Sequence, residues 1–453
     1  MKFSHHHPLT RALALGLGAV ALAAPTASAD HQARTDAVST WNENAGKAAV
    51  KACISPVGPS PAEARLYAMA HVAIHDALNA IDRRSQPYAY HGRTRGRASV
   101  DAAVAAAARN VLVPILPQVG HLVGQACVDD AVESVEADYA AALADIRDGR
   151  TKARGIAVGK AAAAAILALR DEDGLEDLLV PDFDYVQGTE PGEYRFTGEP
   201  LAFAPKFGEL TPFVLRDGSQ YRPGPPHAVT DPRYTADYNQ IKRLGGDDAT
   251  TPSARTPDQT EIALFWYESS PLQWNRIART VAGDRRLDAW EQARLFGLLN
   301  MALTDGYIGT FETKYHYNYW RPITAIRLGG SDGNPGTTGD PAWTPLRTTP
   351  EIPDYDSGHA VEGGAGAAVL RRFFHRDRIA FSACSTTLDA GSNCDEGAPR
   401  FRRYRSFSQA AAENAFSRIL IGYHFREATE VGTEHGRRIG DFVVDRAMRP
   451  RGR

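Results

Sequence analysis

Between residues 61 and 82 the apolar residues Leu66, Met69, Ala70, Ala73, Ile74, Ala77, Leu78 and Ile81 return at helical spacing. A stripe of that period commits the stretch to an amphipathic helix. Further helical segments are predicted at about 100–116, 128–147 and 152–170, with Gly149 separating the last two and Gly174 marking the end of the third. They are rich in alanine, which raises intrinsic helicity and lets helix axes approach closely. Strand signal is scarce throughout this half. The expected fold is all-α, helix bundles packed together, with a long irregular Pro/Gly-rich loop region at 174–257 that either shapes a site or decorates the periphery.

Helical pattern resumes at Thr256-Pro257-Asp258-Gln259, an N-cap followed by proline in the first turn and a capping-box partner. Asp288 and Glu291 open a further helix that runs toward Phe311. Histidines His71 and His75 have the four-residue spacing of a metal pair, but both plot away from the apolar stripe and no third ligand is evident. A structural role is the expectation for them.

The first 29 residues read as a secretory signal peptide. Lys2, His5, His6, His7 and Arg11 precede an apolar run at 12–24, and Ala27-Ser28-Ala29 supplies a small-residue cleavage pattern. The run is too short to span a bilayer, and no later run approaches about 18 uninterrupted apolar residues. A secreted or periplasmic protein without stable membrane insertion is expected. Its net charge of −3 gives no bulk attraction to nucleic acid or anionic lipid, so any anion site must be a local cluster. Four cysteines in an exported chain suggest two disulfides; spacing favours Cys384 with Cys394, leaving Cys53 with Cys127, although three pairings are possible.

Local clusters of that kind occur in three stretches. Lys314-Tyr315-His316-Tyr317-Asn318-Tyr319-Trp320-Arg321-Pro322 offers a point cation and a planar guanidinium. Seven residues are nearly two helical turns, so Lys314 and Arg321 are expected on one helix face, with Arg321 at a terminus before Pro322. Asp354-Tyr355-Asp356-Ser357-Gly358-His359 leads into an Ala/Gly-rich helical run. It offers a hydroxyl, an unobstructed amide and an imidazole at a helix N-terminus, where backbone N–H groups favour anions. Ser417-Arg418-Ile419-Leu420-Ile421-Gly422-Tyr423-His424 places a cation and an imidazole six residues apart, with Gly422 releasing the chain. Singly, each stretch reads as ordinary ion pairs, caps and buried histidines. Together they read as an oxyanion site.

The ordered set Lys-x6-Arg-Pro, Ser-Gly-His and Ser-Arg-x5-His resembles the vanadium-dependent haloperoxidases and the type 2 phosphatidic acid phosphatase superfamily that shares their site. The text of residues 314–327 is similar to that of secreted bacterial haloperoxidases, and the likeness is strong over about residues 285–445. On that basis the chain divides into a leader at 1–29, a helical scaffold and loop region at 30–284, and a catalytic core at 285–453. The resemblance implies that Lys314, Arg321, Arg418, Ser357 and Gly358 bind the equatorial oxygens of vanadate. It also implies that His424 coordinates the metal and that His359 is the acid–base group. The implied reaction oxidises halide with hydrogen peroxide to hypohalous acid. The alternative within the superfamily is an acid phosphatase without metal, in which His424 attacks a phosphate ester and His359 protonates the leaving alcohol.

Two positions depart from the common pattern. Asp356 stands where proline usually precedes Ser-Gly-His; its carboxylate would oppose the oxyanion or orient His359 or an arginine. Ala428 stands where many members carry an aspartate behind the last histidine, leaving Glu427 or Glu430 as substitutes. These departures motivate a third expectation, a degenerate oxyanion-binding protein without turnover.

Overall fold

In a computed structural model, residues 37–395 and 397–451 are described. The expected signal peptide lies outside them. Helix α1 (Ala37–Lys51) leads into α2 (Ser60–Ile81), then α3 (Val100–Ile115), α4 (Gln125–Ala144) and α5 (Arg150–Leu169). The irregular region holds a two-residue pair, β1 (Pro181–Asp182) with β2 (Ala202–Phe203), and helix α6 (Pro232–Leu244). Helices α7 (Pro257–Phe265), α8 (Ser270–Asp284), α9 (Ala289–Tyr317) and α10 (Pro322–Leu328) follow. The chain continues through α11 (Gly358–Phe373), the hairpin β3 (Phe381–Ala383) with β4 (Arg402–Tyr404), α12 (Phe407–Leu420) and α13 (Arg426–Arg446). The predicted caps have a direct local cause: Thr256 and Asp288 each form a capping box with the glutamine or glutamate three residues on.

Helix α9 is the axis of the molecule, buried along almost its whole length and packed on α2, α11 and α13. Close approach is paid for in side-chain size. A Cβ on Gly436 would lie 1.8 Å from the Val361 carbonyl oxygen, and one on Gly364 would lie 2.1 Å from that of Thr433. Backbone therefore meets backbone along the α11–α13 seam. The α3–α5 contact is built the same way, with Gly155 and Gly159 each leaving 2.4 Å to a facing carbonyl oxygen. By length and mean hydropathy the stretch Val100–Val123 could cross a membrane, although Asp101 and Arg109 interrupt its apolar run. Here α3 is a core helix, with Ala102 to Ala108 all buried between its neighbours.

His71 and His75 lie off the apolar stripe and are buried nonetheless. Helix α2 is buried on all sides, so no face of it is polar surface. His71 lies against Asn42 at 2.7 Å, and His75 is held between Asp76 and Ser85. Among the described residues no group of three or more metal-ligating side chains forms. The two disulfides are Cys53–Cys127 and Cys384–Cys394. Asp305 of α9 accepts from the backbone N–H groups of Phe213, Val214 and Leu215, tying the irregular region to the central helix.

Candidate active site

Lys314 and Arg321 do not share a helix face. Helix α9 stops at Tyr317 because Asn318 takes a left-handed conformation (φ 48°), and Arg321 lies beyond the break as the N-cap residue of α10. The irregular region braces this break: Tyr194 N–H donates to the Asn318 carbonyl, and Trp320 N–H donates to that of Gly192. The Asp354 N–H in turn donates to the Tyr319 carbonyl, joining the first stretch to the second. Ser357 N–H donates to the carbonyl of Ala428 at 3.0 Å, which joins the second to the start of α13. Gly422 has φ +87° and touches Gly245, so only glycine fits there. The turn it makes lets the Tyr423 and His424 amides donate back to the Arg418 carbonyl.

These connections bring Lys314, Arg321, Gly358, His359, Arg418 and His424 to one cavity of about 290 Å³. Ser357 lies just behind the lining; its hydroxyl is buried, does not cap α11 and meets no partner. Lys314 donates to the carbonyls of Pro353 (2.8 Å) and Asp354 (2.9 Å), which leaves one of its three N–H bonds free. Arg321 donates through Nε to Ile352 and through Nη1 to Tyr423, and Nη1 also lies 3.0 Å from His424 Nε2. Arg418 reaches the Trp266 carbonyl through Nη1, while its buried Nε meets nothing. Among the described residues no aspartate or glutamate lines the cavity.

The three buried cations are desolvated and repel one another, offset in part by Asp354, whose Oδ1 lies 3.9 Å from Arg321 Nη1. Burial, then Arg321, holds Lys314 well below an ordinary ammonium. Burial likewise lowers Arg321, and lowers Arg418 to about 10. A bound multivalent anion would reverse both causes at once. Burial followed by Arg321 keeps His424 well below an ordinary imidazole, and burial followed by Arg418 does the same for His359. Both rings are thereby biased toward the neutral form. His359 Nε2 lies 3.2 Å from the Glu268 carbonyl, which places its proton there and leaves Nδ1 as a lone-pair acceptor.

The carboxylate behind His424 is Asp354. Its Oδ1 lies 2.9 Å from His424 Nδ1, although neither Asp354 oxygen meets a well-directed donor. This is therefore a close electrostatic contact rather than an aligned hydrogen bond. Burial pushes Asp354 up to about 7, against the opposing pull of Arg321 and Lys314. Glu427 and Glu430, the expected substitutes, are engaged elsewhere. Glu427 holds the His227 amide and ring, and Glu430 pairs with Arg426 at the surface. Asp356 neither faces the cavity nor orients His359 or an arginine. It is buried between Thr310 Oγ1 (2.6 Å) and His435 Nδ1 (2.8 Å). Asp354 stood in the quoted stretch, but its partner is 70 residues distant and sequence spacing gives no sign of it.

The donor set suits a tetrahedral or five-coordinate oxyanion. It offers a point cation, two guanidinium groups, the free first-turn amides of α11 at Gly358, and an imidazole nitrogen without a proton. The orphaned Arg418 Nε and Ser357 hydroxyl are the unspent valences such a group would take up.

Comparison with known proteins follows the same lines. Residues 294–452 match the family described as the VCPO second helical-bundle domain, a span that contains all three oxyanion stretches. The chain is 28% identical to a vanadium chloroperoxidase of Curvularia inaequalis, over 52% of this chain and 51% of that one. It thus spans about half the length of that curated relative. A bacterial vanadium-dependent iodoperoxidase superposes with a TM-score of 0.72 at 21% identity, over 92% of this chain and 98% of the other. A bacterial vanadium-dependent chloroperoxidase, in its apo form, superposes with a TM-score of 0.65 at 17% identity, over 86% and 93% of the two chains. At these identities the superpositions establish a shared fold.

Proposed function

Because the chain belongs to the vanadium-dependent haloperoxidase family, we propose that it is a vanadate-dependent peroxidase that oxidises halide with hydrogen peroxide to hypohalous acid. The observation that carries this reading is the cavity in which three buried cations converge with two histidines and, among the described residues, no carboxylate in the lining. Vanadate, when bound, supplies a Lewis-acidic centre that polarises peroxide oxygen without a change of oxidation state.

The chain's own residues divide the remaining work. Lys314, Arg321 and Arg418 neutralise the oxyanion, helped by the Ser357 hydroxyl and the Gly358 amide. His424 would hold the metal through Nε2, the nitrogen that lies 3.0 Å from Arg321 Nη1. Asp354, whose Oδ1 lies 2.9 Å from Nδ1 of that ring, would in its ionised form favour the tautomer with the proton on Nδ1, as a carboxylate does behind a ligating histidine. His359, with Nδ1 as acceptor, would serve as the acid–base group that holds or returns a proton at the oxyanion end of the cavity. We place this activity outside the cytoplasm, where two disulfides persist.

Purified protein assayed with and without vanadate tests the proposal. Halide oxidation that requires both vanadate and peroxide is the expected result. Hydrolysis of phosphate esters that vanadate inhibits would replace it with the phosphatase reading. Oxyanion binding without either reaction would leave a binding protein.

A further inference from the structure

The cation end occupies only part of the cavity. Its lining also includes Pro56, Val57, Pro59, Phe203, Tyr267 and Ile352, of which Val57 is exposed and the others half-buried, so they belong to its outer part. None of these side chains carries charge. Hydrated halide and peroxide gain nothing from such walls, since both are small and polar, and an oxyanion with four oxygens is satisfied at the inner end. Apolar surface around a recess of this volume is the chemistry of a site for an organic molecule.

The proline wall is held in place before any ligand arrives. Pro56 accepts from the Ser269 N–H at 2.7 Å, and Pro59 accepts from the Ala62 N–H at 2.9 Å. The Cys53–Cys127 disulfide fixes the chain just upstream. A Cβ on Gly58 would lie 2.8 Å from the Ile54 carbonyl oxygen, so the turn is as tight as backbone allows. Phe203 is tied as firmly: its N–H donates to the Glu351 carbonyl, and its own carbonyl accepts from the Tyr315 hydroxyl. A wall already in its binding conformation loses little entropy when a ligand settles on it.

We propose that the outer cavity is a subsite for an uncharged, ring-sized apolar organic group, seated directly over the oxyanion held by the three cations. The proposal rests on the oxyanion reading above and adds a second ligand class to it. An organic co-substrate is thereby bound by the enzyme beside the reacting centre, instead of meeting a released oxidant in solution.

Methyl phosphate and phenyl phosphate carry the same charge and the same oxygens, and differ only in the apolar body. Calorimetric titration of the full chain without vanadate is expected to show phenyl phosphate bound at least about tenfold more tightly. In the V57S/F203A double variant the two esters are expected to bind within about threefold of each other, with methyl phosphate unchanged from wild type. Val57 is 52% exposed and Phe203 partly so, and the retained methyl phosphate affinity reports an intact anion end. Equal affinities in the wild type would overturn the subsite while leaving the oxyanion site standing. A phenyl preference that survives in the double variant would overturn its placement on these walls. Wild-type protein that binds neither ester nor vanadate would overturn the oxyanion reading, and the subsite with it.

Discussion

Two buried histidine clusters sit in this helical body and differ in how they spend their hydrogen-bonding valences. In the first, His75 lies 3.0 Å from Asp76 and 2.7 Å from Ser85, and Asn79 accepts from the amides of Arg84 and Ser85. Asp76 also takes the amides of Tyr88, Ala89 and Tyr90, so that cluster closes on itself and fixes the turn after α2. In the second, His359 and His424 stand among Lys314, Arg321 and Arg418, with the Ser357 hydroxyl and Arg418 Nε left over. A closed polar cluster stabilises the fold. An open one keeps strain that only a ligand relieves.

The sharpest break of that comparison is D76A. It strands three backbone donors and His75, and is expected to cost about 3–5 kcal/mol in denaturant unfolding while the folded fraction keeps its oxyanion affinity. Next comes H424A, expected to weaken vanadate by more than about a hundredfold, beyond the usual cost of losing a ligand's outer partner. Equilibrium dialysis reads this directly, and undiminished retention would remove His424 from the site. R418M is smaller and opposite in kind: anion affinity falls about tenfold, whereas unfolding shifts by no more than about 1 kcal/mol, because a desolvated cation is exchanged for an apolar side chain.

The pH dependence sharpens the contrast further. Asp354 is raised from its ordinary value to about 7, so the folded state holds its proton more tightly than the unfolded chain does. Its contribution is full at low pH and is lost as pH rises from about 4 to about 7. The unfolding free energy of wild type relative to D354N should therefore decline across that window and level off above it. A flat difference would show that Asp354 does not titrate in the fold. The smallest effect belongs to E430A, expected to alter stability by less than about 0.5 kcal/mol and vanadate affinity not at all, since its ion pair with Arg426 is exposed.

Local rules carried much of the architecture. Capping boxes at Thr256 and Asp288, the break after Gly149 and the release at Gly422 could all be read from neighbouring residues, because caps and turns are decided within a few positions. The three stretches could be quoted in full for a related reason: each cation or imidazole is delivered by its own segment. What escaped were relations across the fold. Asp354 serves His424 from another segment, and Asp356 turns away to Thr310 and His435; nothing in either local sequence distinguishes the two aspartates. The break at Asn318 escaped too, because a helix-compatible spacing between Lys314 and Arg321 hides a left-handed residue between them. The burial of His71 and His75 escaped the wheel as well, because α2 is covered on the side away from its apolar stripe too.

The α11–α13 seam governs how this site can change over evolutionary time. One of its helices begins at Gly358, and the other follows directly on the loop that carries His424. Peptide oxygen already abuts Gly436 and Gly364, so no layer of side chains remains there to thicken or thin. The two halves of the anion cage are thus held at a separation no core substitution can retune. Diversity in what such a protein acts upon has to arise in the segments that border the cavity mouth, where size and polarity can vary while the spacing beneath them stays constant.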